Sequence, residues 1–310
     1  MTTKNVIIDC DTGVDDAIAL LIGLQSKALN VLGITCVGGN VPLDNVVRNT
    51  LVVVEHSRAH VPVFRGCAQP LLVPLQTAKY AHGSDGLGDI GFPDPQLTEQ
   101  TEHAVDFIVR TGMDFPEPVD LITLAPLTNI ALALVREPRL QEKIRSLTMM
   151  AGGIGFGNST AFAEFNVWVD PEAADIVFRS HIPKTMIALD PINQYSKIDA
   201  SVIERIERGS APWCKMAGAL LRHGLERWKG PVSPPDAAAM AVAIEPSTAT
   251  SKEYPVMVET RGQYTRGMTV VDRRRWRGES TAAQPNVHVV ETIDTSRYHQ
   301  FVLDTLLGAH

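Results

Sequence analysis

Four aspartates, Asp9, Asp11, Asp15 and Asp16, lie within eight residues near the start of the chain. Carboxylates this close repel one another unless a cation lies among them. One of them could cap a helix and the last two could occupy its first turn, but capping requires one acid and not four. Hard divalent cations prefer oxygen ligands, so the cluster favours a calcium or magnesium site. The residue spacing of an EF-hand loop is absent, which indicates a different kind of site.

These aspartates lie between a predicted strand and a predicted helix. Residues 6–9 form a short apolar run that ends in an acid, and an apolar pattern with helical spacing covers residues 17–24. The same alternation continues along the chain, which is typical of a mostly parallel sheet with helices on both faces. We therefore predict an α/β fold with a central, mostly parallel sheet. Further strands are expected at residues 31–37, 119–124, 147–150 and 185–189, and further helices at 43–56, before 135, and at 171–178.

The last third of the chain has a different pattern, with more helix. Helical spacing covers residues 201–207, 213–228, 236–244 and the region near 296–307, and strands are expected at 254–260 and 268–271. No repeat, low-complexity tract or linker separates this part from the rest. We therefore predict one domain over residues 1–310, with a helical C-terminal portion that closes the site. The basic triplet that begins at Arg273 is interpreted as a solvated loop.

Composition restricts the classes of function. The 310 residues include 28 basic and 35 acidic ones, and the formal charge of −7 does not favour nucleic acid or an anionic membrane as a partner. The four cysteines are scattered with no CxxC pair, which argues against a disulfide framework and a structural zinc site. The start lacks the apolar stretch of a signal peptide, and no apolar run approaches the roughly 20 residues of a membrane span. We expect a cytoplasmic globular protein.

Polar residues follow the carboxyl ends of several predicted strands. The four aspartates follow the first strand, Asn40 follows the second, and Asp190 follows the strand at 185–189. In an open parallel sheet, ligands bind beyond the carboxyl ends of the strands. We therefore expect these acid and amide groups to meet in one site.

Five segments, in order along the chain, resemble motifs of the inosine–uridine type nucleoside hydrolases. IIDCDTGVDDAIAL at 7–20 resembles their DxDxGxDDA signature, GGN at 38–40 resembles the end of their second strand, and APLTNIA at 125–131 resembles GPLTNIA. MMAGG at 149–153 with AEFN at 163–166, and then DPEAA at 170–174, resemble the later motifs. The resemblance covers roughly residues 4–190 and is weaker beyond them. It implies the family's Rossmann-like fold and cleavage of ribonucleosides into free base and ribose.

The resemblance also implies a role for each motif residue. A Ca²⁺ ion would be held by the side chains of Asp11, Asp16 and Asp236 and by the carbonyl oxygen of Leu124. The ion would lower the pKa of a water molecule and hold the ribose diol, and Asp11 would be the general base towards that water. The expected ribose-binding residues are Asp15, Asn40, Asn158, Glu164 and Asn166, and Met150 is expected in the core next to the sugar.

The residue before Asp236 departs from the family pattern. Many members carry a histidine there that is thought to protonate the departing base, and this chain has Pro235. Either another group activates the leaving base, or the substrate is one whose leaving group needs no acid. The candidates for contact with the base are His82, His223 and Arg227, with Trp228 as a ring that would stack on it. The sequence does not separate purine from pyrimidine nucleosides.

Two other functions fit parts of the sequence. The acids at 9 and 11 with Thr12 also match the DxDxT opening of haloacid-dehalogenase-like phosphatases, whose first aspartate is a phosphoryl nucleophile beside Mg²⁺. The late acidic pair of that fold is missing, and Asp15 and Asp16 would have no role. The other alternative is a nucleoside- or ribose-binding protein that has lost turnover, against which the intact Asp11 argues. Family members are usually dimers or tetramers, so the resemblance implies a homo-oligomer with a ribonucleoside substrate.

Overall fold

The computed structural model describes residues 3–274 and 283–308. Within them the strands are β1 (Lys4–Cys10), β2 (Leu29–Cys36), β3 (Val63–Arg65), β4 (Val119–Thr123), β5 (Ile144–Met150), β6 (Lys184–Ile187), β7 (Ala249–Tyr254), β8 (Val256–Val258), β9 (Thr269–Val271) and β10 (Val287–Ile293). The helices are α1 (Val14–Gln25), α2 (Leu43–Ser57), α3 (Lys79–His82), α4 (Ala104–Asp114), α5 (Thr128–Arg136), α6 (Leu140–Lys143), α7 (Phe165–Val169), α8 (Pro171–Arg179), α9 (Leu189–Tyr195), α10 (Ala200–Glu207), α11 (Pro212–Trp228), α12 (Pro235–Ile244) and α13 (Thr295–Leu307).

Eight of these strands form one sheet in the order β3-β2-β1-β4-β5-β6-β10-β7, and β8 pairs with β9 separately. Neighbouring strands of the large sheet are parallel except β10 and β7. The predicted α/β fold with a mostly parallel sheet is therefore confirmed. The order β3-β2-β1-β4-β5-β6 is that of a doubly wound sheet, in which the chain reverses its direction of winding between β1 and β4. A ligand site is expected beyond the carboxyl ends of these two strands.

Successive side chains of each strand point to opposite faces of the sheet. Both faces are apolar, and helices cover both. In β1, Val6 and Ile8 belong to one apolar cluster and Ile7 belongs to the other. The first cluster includes residues of α1, α2, α11, α12 and α13, and the second includes residues of α4, α5 and α8. The helix α1 packs directly against α12, although some 200 residues separate them in the chain. This contact brings the C-terminal part to the acidic segment at the start of α1.

Two predicted strands were wrong in their extent. The strand expected at 185–189 ends at Ile187, and Asp190 lies in the first turn of α9. Pro191 has no N–H for a ladder and a φ that suits the first turn of a helix, so the strand cannot continue there. The strand expected at 254–260 is split at Pro255: Tyr254 ends β7 in the large sheet, and β8 begins a separate pair of strands. The proline again ends the ladder.

The C-terminal third is helical as predicted up to Ile244 and then returns to the sheet. The strands β7 and β10 were not predicted, and they extend the large sheet beyond β6. Arg273 and Arg274 of the basic triplet are exposed, as expected for a solvated loop, and Arg275 lies outside the described residues. None of the helices in the described part of the chain has the length and the apolar character that a transmembrane span requires.

Candidate active site

The acidic segment lies where β1 turns into α1. Asp16, in the first turn of the helix, accepts the N–H of Gly13 at 2.9 Å and the N–H of Asp11 at 3.2 Å. It therefore satisfies backbone donors that the start of the helix leaves open. Asp9 is still within β1 and accepts from the Thr35 hydroxyl at 2.6 Å and from the Asn129 amide at 2.8 Å. Asp9 and Asp16 thus both accept hydrogen bonds that hold the local structure.

A fifth acid meets this segment from a distant part of the chain. Asp236 lies in the first turn of α12, and one oxygen each of Asp15, Asp16 and Asp236 lies within 4.8 Å of the other two. We term these three residues the carboxylate trio. Oxygen atoms at this separation can share one cation. The structure therefore brings together Asp16 and Asp236, two of the predicted ligands, and adds Asp15, which was predicted to contact ribose.

Asp11 lies beside the trio, in contact with Asp16. Its Oδ2 accepts the N–H of Asn40 at 2.7 Å, and its Oδ1 is buried with no hydrogen-bond partner among residues 3–274 and 283–308. Oδ1 of Asp15 is buried without a partner as well. A buried polar atom without a partner is costly, so both oxygens have capacity for a ligand. The role of Asp11 as ligand and base stays a prediction.

Burial and repulsion shift the titration of these acids upward. Burial raises the pKa of Asp16 to about 7, and the neighbouring Asp15 charge adds to the shift. The pKa values of Asp11 and Asp236 are also raised well above their usual range, first by burial and then by the charges around them. Keeping all of these groups ionised at neutral pH requires a compensating positive charge. The donor set consists of buried carboxylate oxygens, which fits a hard divalent cation.

The predicted ribose-binding residues line a cavity of about 80 Å³, which we term the sugar half. Asp11 and Asp16 are fully buried and do not belong to its lining. The small volume suits a sugar-sized group held mainly by oxygen and nitrogen atoms. The lining includes Asp15, Asn40, Leu124, Met150, Asn158, Glu164, Asn166 and Asp236.

Asn166 and Glu164 are held by backbone groups around the cavity. The Asn166 Nδ2 donates to the carbonyl oxygens of Leu124 at 3.0 Å and Met150 at 3.1 Å, which leaves its Oδ1 as an acceptor for a ligand hydroxyl. A carbonyl oxygen has two lone pairs, so Leu124 can accept this bond and still offer a ligand atom. Glu164 caps α7 and accepts the N–H groups of Gly152 and Asn166, each at 2.8 Å. Burial raises the pKa of Glu164 to about 7.

A larger cavity of about 280 Å³ adjoins the sugar half, and we term it the base half. The two cavities share Asp15, His82 and Asn158, so a bound molecule could extend from one to the other. The base half also has apolar walls, as expected for the ring of a base. Its lining includes the predicted residues His82, His223, Arg227 and Trp228 and the apolar residues Val14, Ile18, Leu220, Leu221, Val232 and Pro235.

His82 is fixed by the start of α1. Its Nδ1 accepts the N–H of Val14 at 3.1 Å, so that nitrogen carries no proton and the ring proton lies on Nε2. Burial lowers the pKa of His82, and the Arg227 charge lowers it further against the opposing effect of Asp15. The ring is therefore a neutral hydrogen-bond donor through Nε2.

The other three candidates for the base half lie on α11. Within the described residues, Nε2 of His223 is buried without a hydrogen-bond partner, and the His223 ring packs against Gly88. Arg227 donates to the carbonyl oxygen of Tyr80 and stacks on Trp228, with its Cζ 5.6 Å from the ring centroid. Trp228 is 61% exposed at the rim of the cavity. The structure thus places all four predicted residues at one cavity, with His82 and His223 more enclosed than Trp228.

The sequence interpretation missed the apolar wall and the parts that hold the site together. Val14 and Ile18 were part of a recognised motif, and their spacing of four residues on a helix places them on one face. That spacing was a usable signal. The expectation that Asp190 meets the other acids in one site was wrong, because Asp190 lies outside the lining of both cavities. Its carboxylate instead binds the loop that carries Asn158, and no local pattern indicated this.

Comparison with known proteins decides which family has this arrangement. A family model described as inosine-uridine preferring nucleoside hydrolase matches residues 6–300. The chain belongs to this family. It is a hydrolase that acts on N-glycosyl bonds of ribonucleosides. The family identified from the sequence motifs is therefore confirmed, and the match extends through the last third, where the motifs were weak.

Individual relatives match over almost their whole length. The pyrimidine-specific ribonucleoside hydrolase RihA of Salmonella schwarzengrund is 38% identical over 309 residues, which cover 97% of each chain. The purine-preferring ribonucleoside hydrolase of Gardnerella vaginalis has a TM-score of 0.89 at 29% identity and covers 98% of both chains. An inosine-guanosine nucleoside hydrolase has a TM-score of 0.91 at 29% identity, again over 98% of both chains. This nucleoside hydrolase is thus similar to relatives with different base preferences, and neither the phosphatase nor the binding-protein alternative gains support.

Proposed function

We propose that this nucleoside hydrolase is a calcium-dependent enzyme in which Asp11 activates the attacking water. The observation that carries the proposal is the carboxylate trio with Asp11 beside it at the switch point of the sheet, where Asp11, Asp16 and Asp236 are buried and Asp15 is half-buried. Asp16, Asp236 and the Leu124 carbonyl would hold the cation together with Asp11 or Asp15. When bound, a divalent cation supplies a positive charge that lowers the pKa of a water molecule and orients the ribose diol.

The chain's own residues account for the sugar end of the reaction. Cleavage of the bond between ribose and base develops positive charge on the sugar ring. The buried carboxylates next to the sugar half stabilise that charge without moving. The unpartnered Oδ1 of Asp11 accepts the proton of the attacking water. Asn40, Asn158 and the Oδ1 of Asn166 orient the ribose hydroxyls.

Two imidazoles act at the base end. As the bond breaks, its electron pair passes to the ring nitrogen of the base and spreads onto the base's other heteroatoms. His82 donates from Nε2 to one of these atoms while Val14 fixes the ring. His223 Nε2, which has no hydrogen-bond partner among the described residues, contacts the base from α11. These two groups replace the histidine that Pro235 removes.

A pyrimidine ribonucleoside is the proposed preferred substrate. The relative that shares 38% of its residues with the chain is named pyrimidine-specific, whereas the solved structures with purine names share 29%. Uracil and cytosine carry an O2 carbonyl next to the glycosidic nitrogen, which can accept the Nε2–H of His82. A homo-oligomer is proposed as its working form on the basis of family resemblance, and a cytoplasmic location because the scattered cysteines suit a reducing compartment.

The substrate proposal is tested with uridine, cytidine, inosine and adenosine at equal concentrations, by following free base and ribose. We expect kcat/KM for uridine or cytidine to exceed that for inosine by about tenfold or more. A preference for inosine or adenosine would contradict the pyrimidine assignment and leave the hydrolase intact. Absence of ribose release from all four would contradict the proposed activity itself.

A further inference from the structure

The loop between β5 and α7 carries Asn158, which lines both halves of the cavity. We propose that Asp190 and Thr269 are positioning residues that hold this loop so that Asn158 engages the ribose. The inference rests on the proposed function, because Asn158 is assigned there to the sugar. Neither Asp190 nor Thr269 belongs to the lining of the two cavities, so they would act through the loop.

Asp190 binds the loop from the start of α9. Its Oδ2 accepts the N–H of Ile154 at 2.6 Å, and its Oδ1 accepts the N–H of Gly155 at 2.9 Å. Both carboxylate oxygens are thus used on consecutive backbone amides. Hydrogen bonds to a charged acceptor are stronger than neutral ones, and two of them fix both position and direction. A neutral or shorter side chain could not reproduce this pair.

Thr269 lies in β9, far C-terminal to the loop in the sequence, and binds the loop from there. Its buried hydroxyl donates to the Gly153 carbonyl oxygen at 2.6 Å and receives the Gly153 N–H at 3.0 Å. One hydroxyl therefore satisfies both backbone groups of one glycine. Gly152 has a φ of +72°, and a Cβ at that position would lie 2.5 Å from the Thr269 hydroxyl. The backbone fits closely around this side chain.

The anchored part leads directly to Asn158. Gly157 donates to Ala161 and Asn158 donates to Ala163, each at 3.1 Å, which closes the distal part of the loop on itself. The Asn158 Oδ1 accepts the N–H of Phe165 at 2.8 Å, so its Nδ2 is the donor available to a ligand.

Without outside contacts, this loop would have little to order it. Residues 151–164 contain no helix or strand, and Phe156 and Phe162 are more than 40% exposed. Ordering such a segment costs roughly 1–2 kcal/mol per residue in backbone entropy. Asp190 and Thr269 fix residues 153–155, three positions before Asn158. The loop is therefore held in advance in the conformation that presents Asn158.

The test compares Asp190→Ala with Asp199→Ala in the full-length enzyme with uridine. Asp199 is the matched control, because it also accepts two backbone N–H groups, from Ser201 and Val202, but at the start of α10. We expect Asp190→Ala to lower kcat/KM by about 10- to 100-fold, mainly through a higher KM, and Asp199→Ala to leave it unchanged. Equal losses in the two variants would overturn the proposal, because both would then reflect general destabilisation.

A double-mutant cycle with Asn158→Ala shows whether Asp190 acts through Asn158. If it does, adding Asp190→Ala to Asn158→Ala changes kcat/KM by no more than about twofold. If the effect of Asp190→Ala is the same with and without Asn158, the proposal is wrong. Thr269→Val should resemble Asp190→Ala, and Thr269→Ser, which keeps the hydroxyl, should restore kcat/KM. Amide hydrogen exchange at Ile154 and Gly155 should be faster in Asp190→Ala even if the wild-type enzyme cleaves no nucleoside, which separates this inference from the proposed function.

Discussion

The Nδ1 atom of His82 lies 3.5 Å from the Asp15 carboxylate, at the boundary between the sugar half and the base half. That nitrogen already accepts the Val14 N–H, so the contact does not become a full ion pair. Burial lowers the pKa of His82 and keeps the ring neutral. Asp15, a member of the trio that faces the sugar half, thus touches His82, which faces the base half. The first turn of α1 positions both residues.

Replacing His82 should damage the base end of the reaction. His82→Ala removes the Nε2 donor, and we expect kcat for uridine to fall by about 100-fold with a smaller change in KM. His56→Ala is the matched control, because His56 binds the Val52 carbonyl within α2 and lies away from both halves. Steady-state kinetics measures the difference. An unchanged kcat in His82→Ala would remove His82 from the mechanism.

Replacing His223 tests the second imidazole. Its Nε2 has no hydrogen-bond partner in the described part of the chain and is free to bind the substrate, so His223→Ala loses that contact. We expect kcat/KM to fall by about tenfold, by an amount that depends on the base. The loss should be absent for p-nitrophenyl riboside, because its leaving group, p-nitrophenolate, needs no activation. If both histidine variants keep the wild-type kcat, stacking on Trp228 or another residue carries the role.

A cation at the trio should stabilise the folded protein. Ca²⁺ at about 100 times its dissociation constant should add about 2.7 kcal/mol to the free energy of unfolding. Thermal unfolding with a chelator and with added Ca²⁺ measures this change. Asp236→Asn should remove the response to Ca²⁺, and Asp199→Asn should keep it, because Asp199 lies at the start of α10 outside the trio. A full response in Asp236→Asn would place the cation elsewhere.

Lys184 should make stability depend on alkaline pH. It is buried at the first position of β6, its Nζ donates to the Ser180 carbonyl at 2.7 Å, and burial lowers its pKa from 10.5 to about 8. The folded protein then binds this proton less tightly than the unfolded chain does. The free energy of unfolding should therefore rise as pH increases from about 8 towards 10.5.

The matching variant is Lys184→Met, with the exposed Lys143→Met as its control. We expect Lys184→Met to unfold at a higher temperature than wild type at about pH 7. It should also lose most of the rise in the free energy of unfolding between about pH 8 and 10. Lys143→Met should follow the wild-type curve. A Lys184→Met variant with the same pH dependence as wild type would show that this lysine stays hydrated in the folded state.

Local apolar patterns were sufficient to predict most of the elements near the site. The strands β1, β2, β4 and β5 and the helices α1, α2, α5 and α8 are buried runs with a clear period, and their predicted bounds differ from the structure by a few residues. The three-residue strand β3 is too short to show a period. In β10, exposed residues interrupt the apolar ones because this strand pairs with β7 near the edge of the sheet. Both were missed.

The candidate site was predictable to the extent that motifs fix it. The four acids from Asp9 to Asp16 lie within eight residues of one motif, and Asp236 follows a helix boundary, so the resemblance could place them. The contacts that hold the site are different in kind. Thr269 binds Gly153 across 116 residues of sequence, and such a pair has no local signature. The presence of Asp15 in the trio, with Asp11 beside it, likewise depends on side-chain geometry, which spacing alone does not define.

The most direct measurement of the central claim is ribose release from uridine and inosine by wild type and by Asp11→Asn, each with a strong calcium chelator and with Ca²⁺ restored. We predict that wild type releases ribose, loses this activity with the chelator and regains it with Ca²⁺. The rate of ribose release by Asp11→Asn should be lower than that of wild type with Ca²⁺ by roughly 10³-fold or more under every condition. Ribose release that persists in the chelator, or near-normal turnover by Asp11→Asn, would contradict the account.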